Sequence, residues 1–386
     1  MNPGLHAAPW PKAARARGRR AAAVLALWAG SGMPPEAQGQ TFRAEGADTG
    51  AGLGARWVAQ GGTGVATADD VHAITFNPAG LAAVSGPQVS VSRQADARLR
   101  PMNFLGAAWP LPHRGALRAT LAAAYYPRIH ARASGAFDDG DFESLFLRYL
   151  LPGISGTFDG DIDTKTKSYR LGLGLAAGDE APWSLGAYVE RIDCRSDFCG
   201  VHATSNGFTT QSTGAVATGV GLGQRWRWSP ALTLGASLAD LRTRLAVRST
   251  TTDAAGTRTT REAAAFPRKL AVGVGWQATP VWRLAADAEV MRGRYGRSEI
   301  DLQILRLGAE RSGRPWSWRA GAVAPLRIFS TESGSLKAPF PFGPTLGVGW
   351  QQGPWQLDMA VYAHAVMSMH KDRAHPAADL SLSVAF

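Results

Sequence analysis

The sequence predicts an all-β chain, a transmembrane antiparallel β-barrel of about 14 strands. Three observations predict it. In the last eight residues, Leu380, Leu382, Val384 and Phe386 alternate with Ser381, Ser383 and Ala385, a period-2 strand with one face for lipid and one for a lumen. From about residue 87 onward, strands are joined by connections that alternate between short and long. Ten of the 13 tryptophans flank the short connections, among them Trp109, Trp183, Trp276 and Trp355, as an interfacial aromatic girdle requires.

The chain begins with Lys12, Arg15, Arg17, Arg19 and Arg20, then the apolar stretch Ala21–Gly30 and small residues near Gly39. That is the layout of a secretory signal peptide over residues 1–39. Without it the net charge falls from +11 to +7, because five basic residues and Glu36 are lost. The remaining basic residues are scattered, which argues against a nucleic-acid surface and suits contact with anionic lipopolysaccharide. No run of about 18 or more apolar residues exists to form a spanning helix. The only cysteines, Cys194 and Cys199, are expected to form a small loop disulfide in an oxidising compartment.

The short connections lie at 110–116, 178–182, 229–230, 278–280, 311–315 and 352–354. Long ones are expected near 127–164, 194–211, 241–262, 292–299, 326–340 and 368–376. Strand faces agree with this reading. Leu270, Val272, Val274 and Trp276 alternate with Ala271, Gly273 and Gly275, and Leu346, Val348 and Trp350 with Thr345, Gly347 and Gly349. In the stretch 281–292, Trp282, Leu284 and Val290 share one face while Arg283, Asp287 and Glu289 share the other, the lumen side. Tyr125, Tyr126, Tyr169, Tyr188 and Tyr295 are expected at strand ends near the long loops. Residues 140–151 have helical apolar spacing, expected as an amphipathic loop helix. Residues 41–86 look too irregular for a strand pair and belong either inside the barrel as a plug or in the periplasm.

Within that segment stands Ala59-Gln-Gly-Gly-Thr-Gly-Val-Ala-Thr-Ala-Asp-Asp-Val-His-Ala-Ile-Thr-Phe-Asn-Pro-Ala-Gly-Leu81. The Ala68-Asp69-Asp70 step and the Asn77-Pro78-Ala79-Gly80-Leu81 turn resemble the hatch of the outer-membrane long-chain fatty acid and aromatic hydrocarbon transporters, the FadL/TodX type. The chain end on Phe386 resembles the closing strand of outer-membrane barrels, which the barrel-assembly machinery reads. The resemblance implies a hatch (plug) at 40–86 inside a barrel at 87–386, located in the bacterial outer membrane. It also implies a monomer that takes up a hydrophobic small molecule passively, without cofactor. Asn77, Pro78, Ala79, Gly80 and Pro127 are then the ligand and gate residues. Asn77 before Pro78 makes a stiff turn, and Pro127 cannot donate a ladder bond, so its strand is expected to kink or end there. Asp69 and Asp70 are expected to pair with lumen arginines. The segment is similar also to PorV-like secretion barrels, so the alternative is a docking component of a secretion or surface-display system.

Other patterns carry less. Asp159, Asp161 and Asp163 alternate as in a calcium loop, but Thr164 and Arg170 occupy the positions where that loop needs Gly and Glu, so a solvated loop is expected. His364, His370 and His375 cluster near the last long loop, where solvated histidines are expected rather than a metal site. No Gly-x-Ser-x-Gly or nucleophile–base pair points to an enzyme.

Overall fold

The structure, a computed structural model, describes residues 41–386 apart from 50–51, 96–101, 113–116, 139–140, 142–157, 179–181, 194–200, 206–207, 215, 244, 265, 296–297, 328, 332–333, 337–341 and 372. The cysteine pair and nearly all of the expected loop helix at 140–151 lie outside the described residues.

Alternating side chains produce a ring of 14 antiparallel strands. They are β1 Gln88–Gln94, β2 Phe104–Pro110, β3 Arg118–Phe137, β4 Phe158–Ala176, β5 Trp183–Asp193, β6 Ala217–Arg227 and β7 Leu232–Leu241. The ring continues with β8 Arg268–Gln277, β9 Trp282–Tyr295, β10 Ser298–Arg311, β11 Trp316–Arg327, β12 Gly343–Gln352, β13 Trp355–Ala363 and β14 Pro376–Ala385. β14 pairs with β13 on one side and with β1 on the other, in register from Gln88 opposite Ala385 to Gln94 opposite Asp379. Every strand therefore has two neighbours and the described residues close the ring, as a sheet in lipid requires.

The outer surface carries Leu171, Leu185, Leu222, Val272 and Leu346, all exposed. Strand residues of the opposite parity, such as Ser90, Ser168, Asp287, Glu310 and Ser381, are buried inside. Near the short turns Trp109, Trp228, Trp276, Trp318 and Trp355 are exposed, and Trp183 stacks on Trp226 across β5 and β6 at 4.8 Å. The tyrosines divide by parity. Tyr125 and Tyr169 touch on the outer face at 5.2 Å, whereas Tyr126 and Tyr188 point inward and are buried against Arg170.

Several expected loops are longer strands. β3 and β4 pair on to Phe137 opposite Phe158, so the acidic alternation at 159–163 lies in a strand rather than a solvated loop. There Asp163 is held by His130 and Arg132. The hairpin 201–214 pairs onto β4 of this extension, the hairpin 245–264 pairs onto that first hairpin, and only residues 296–297 separate β9 from β10. Thr41–Glu45 is also a strand, paired with the far end of β3, despite its irregular composition.

Residues 52–86 run inside the ring. Helix α1 (Ala55–Val58), helix α2 (Ala73–Phe76) and the 3-10 turn Pro78–Ala83 are linked by tight bends. Leu53, Trp57, Val71, Ile74 and Leu81 form an apolar core with the inward Phe104, Ala108 and Tyr126. These helices are too short to stand alone, so the wall holds them.

The outward face makes a direct prediction. Leu346 is 62% exposed on β12, and Leu346→Arg is expected to cost about 2–4 kcal/mol in a lipid bilayer if it lies near the midplane. Urea unfolding of protein folded into vesicles measures this.

Candidate functional site

The inner segment's shape follows from its contact with the wall. Gly61 has φ of +68°, and a Cβ there would lie 2.6 Å from the carbonyl oxygen of Leu307 on β10. The wall answers with glycines of its own. A Cβ on Gly186 would meet Pro78 at 2.2 Å, and one on Gly223 would meet the Asn77 Oδ1 at 1.9 Å. Backbone therefore touches backbone, a close approach that only glycine permits.

Buried backbone groups of the segment must find partners, and the wall supplies them. Ser381 Oγ accepts from Ala55 N at 2.7 Å, and Thr345 Oγ1 accepts from Gly61 N at 3.0 Å. Asp287 Oδ2 accepts from Gly64 N and Val65 N at 2.7 and 3.0 Å. Arg225 donates to the Ala68 carbonyl at 2.9 Å and Arg170 to that of Ile74 at 3.1 Å.

Asn77 is extended, with φ −155° and ψ 107°, as the residue before a proline must be. Its Oδ1 accepts from Ala79 N, and its Nδ2 donates to the carbonyls of Val65 and of Gln224 on β6. Pro78, Ala79 and Gly80 continue the turn, buried against β5 and β6. Pro127 is elsewhere. β3 does not end there; it passes through a bulge, with Pro127 opposite Lys167 and Ile129 opposite Thr166. On the other edge of β3, pairing with β2 stops at Tyr125 and pairing with Thr41–Glu45 starts at His130. Among the described residues, 126–129 thus lack a ladder partner on that edge.

Two charged groups flank the segment. Toward the short turns, Arg56 of α1 reaches Asp69 at 2.7 Å and Glu310 at 3.3 Å. Arg283 on β9 reaches the same two carboxylates at 3.2 and 3.4 Å, and Arg319 joins Glu310 to Asp358. Asp69 thus pairs with a lumen arginine, and Asp70 lies 3.6 Å from Arg56, accepts from Trp57 Nε1 at 3.0 Å and contacts His72. Toward the long loops, Arg128 forms a two-point bond with Asp240 at 2.6 and 2.9 Å and reaches Asp48 at 2.9 Å. Arg170 pairs with Glu190 at 3.1 Å. Arginine's planar fork suits such shared carboxylates.

A chamber of about 100 Å³ lies on the loop side of the segment, lined by Leu53, Phe76, Tyr126, Met291 and Ile304 together with Arg170, Asp287 and Glu289. On the short-turn side a polar cavity of about 570 Å³ is lined by Arg56, Asp69, Glu310, Arg314 and Asp358. The inner segment separates the two. His364 is buried and caps the helix α3 (Ala365–His370) by accepting from Met367 N at 3.2 Å. Among the described residues no acidic, His or Cys group is arranged to hold a metal. Sequence reading missed the chamber; the signal was inward glycine at neighbouring register positions, which marks where the segment runs.

No family model matches the chain, and no curated protein sequence matches it significantly. Solved structures do. The toluene transporter TbuX of Ralstonia pickettii aligns with a TM-score of 0.54 and 14% identity, over 87% of this chain and 99% of its own. The Pseudomonas putida toluene transporter TodX gives 0.55 and 14%, over 87% and 99%. A Pseudomonas aeruginosa FadL homologue gives 0.56 and 12%, over 88% and 98%. The chain has the fold of these FadL-type barrels.

Acid exposes one contact of the segment. Burial acts to raise the Asp70 carboxyl, but His72 and Arg56 outweigh it and bring it down to about 2. A carboxyl held below its ordinary pKa of about 4 stabilises the fold above that pH and stops doing so as pH falls toward 2. Pepsin cleavage within 52–86 is expected to rise across that window, and Asp70→Asn is expected to flatten the rise.

Proposed function

We propose that this protein is an outer-membrane transporter for passive uptake of hydrophobic small molecules, such as long-chain fatty acids or aromatic hydrocarbons. The supporting observation is the position of the partly apolar chamber, inside a closed ring and directly against the segment that fills the lumen. Residues 1–39 serve as the secretion signal, 40–86 as the hatch and 87–386 as the barrel. The barrel-assembly machinery inserts it as a monomer, and basic loop residues meet lipopolysaccharide. The neighbouring structures named as toluene transporters support the same reading.

The geometry suggests how passage works. A ligand loses its water shell on entering from the loop end, and apolar burial supplies the free energy for binding. Most of the buried charges are already paired with one another, as Arg128 is with Asp240 and Arg170 with Glu190, so an apolar guest need not strip a solvated ion. Passage then requires either that residues 52–86 shift or that the ligand leaves sideways through the unpaired edge of β3 at Tyr126, Pro127, Arg128 and Ile129. The Asn77–Gly80 turn sets the resting position, because Asn77 ties the segment to β6 while Pro78 fixes the backbone. Cys194 and Cys199 close an external loop as a disulfide.

Two measurements test this. A strain lacking the gene is expected to grow poorly on a hydrophobic carbon source while secreting proteins normally. Lost secretion with normal growth would favour the docking alternative and overturn uptake. Asn77→Ala, which loses the hydrogen bond to the Gln224 carbonyl, and Pro78→Ala, which frees the backbone of the turn, are expected to leave a heat-modifiable barrel in the membrane while lowering uptake by about tenfold.

A further inference from the structure

The outward face of the loop-side rim carries a charged cluster that plays no part in passage through the lumen. Arg268, Arg292 and Asp301 stand in one row across β8, β9 and β10, each directly opposite the next. Arg327 of β11 stands opposite Gln303, two residues along from Asp301. Their parity is that of the exposed Leu270, Leu305 and Leu307, so these charges face away from the lumen. Asp301 accepts from Arg292 Nε at 3.2 Å, from Arg327 Nη1 at 2.6 Å and from Gln303 Nε2 at 3.1 Å. The side chains of Arg292 and Arg327 are nevertheless 67% and 53% exposed.

Ion pairs this exposed add little stability. What the arrangement does is hold like charges side by side. Three arginines share one carboxylate, a net +2, and the next row outward, Arg294 opposite Glu299, adds none. Asp301 uses one N–H of each of two guanidiniums, and a guanidinium has five. The rest remain for an oxyanion from outside, and the planar fork of arginine suits phosphate. From β8 to β11 the row spans three strand spacings, about 14 Å, too wide for one phosphate to cover.

Below Arg327 the wall has relief. Ala320, Ala322 and Ala324 face outward on β11, with Leu305 and Leu307 of β10 on one side and Pro344 and Leu346 of β12 on the other. Small residues between larger exposed ones make a shallow furrow, which leads from the apolar belt to the arginines. An acyl chain lying in it buries apolar surface on both flanks.

We infer that this rim is a seat for lipopolysaccharide, with the phosphates of its lipid A bound by Arg268, Arg292 and Arg327 and an acyl chain lying along the β11 furrow. The inference gives a place to the lipopolysaccharide contact of the uptake reading and rests on that reading's outer-membrane location. Met291 and Ile304, on the lumen side of the same strands, line the loop-side chamber, so the bound lipid braces the chamber's wall from outside.

The test uses full-length protein refolded in detergent without lipopolysaccharide. It is titrated with lipid A, with dephosphorylated lipid A and with phosphatidylglycerol, and bound lipid is counted by native mass spectrometry. Lipid A is expected to bind at least about tenfold more tightly than either of the others, the scale of hydrogen bonds to charged groups. Arg292→Gln combined with Arg327→Gln is expected to lower lipid A affinity by about tenfold or more. Arg268→Gln, an exposed change outside the Asp301 bonds, is expected to lower it about threefold and keeps the test decisive should the double variant misfold. Arg191→Gln removes an equal charge from the exposed face of β5, opposite Tyr169, and is expected to leave the affinity unchanged. Equal binding of lipid A and either comparison lipid, or equal losses in Arg191→Gln and Arg268→Gln, would overturn the inference while leaving an outer-membrane transporter standing. Recovery of the protein from cells outside the outer-membrane fraction would overturn both.

Discussion

Everything in this molecule depends on the closeness of the inner segment to the wall. Where Pro78 and Asn77 meet Gly186 and Gly223, no space exists for even a methyl group. The segment therefore cannot be a loosely held tail. Its polar backbone has lost water and is satisfied by side chains from strands on several sides of the ring, including Ser381, Thr345, Asp287 and Arg225. Each bond is modest by itself, but leaving one unmade in a dry interior is costly, so the segment is seated by many partners together.

The same constraint explains why an interior read as a hydrophobic path contains so many ions. A lumen lined only by apolar groups would leave the segment's peptide groups unpaired. Arginines and carboxylates do two jobs there: they donate to or accept from backbone, as Arg170 and Asp287 do, and they neutralise each other, as Arg128 and Asp240 do. Removing one partner of such a buried pair is far more damaging than never having built it. The two clusters thus bracket the segment, one toward the short turns and one toward the long loops, and the loop-side one lines the partly apolar chamber.

Much of the barrel was legible in the sequence, because period-2 alternation is enforced residue by residue when lipid lies on one side. Leu380, Leu382 and Val384 face outward as their spacing requires, and the tryptophans mark the short-turn rim. Legibility failed where polarity no longer reports environment. Residues 159–163 look like a solvated acidic loop, yet the strand continues because Asp163 is bound by His130 and Arg132. Tyr126 and Tyr188 stand in sequence at strand ends near the long loops, but their parity turns them inward onto Arg170. The Asn77–Gly80 turn could be picked out from its own residues. Its partners could not, since Gly186, Gly223 and Gln224 are distant in sequence and signal only through an absent side chain or a carbonyl.

The central claim is that residues 52–86 close the lumen of an otherwise continuous ring. Ion conductance of the full-length protein across a planar lipid bilayer tests this most directly. A closed lumen carries no steady current at low potential, and that silence is the expected result. A steady ohmic conductance of the size of a water-filled pore would contradict it, because the segment would then not be seated as its contacts require.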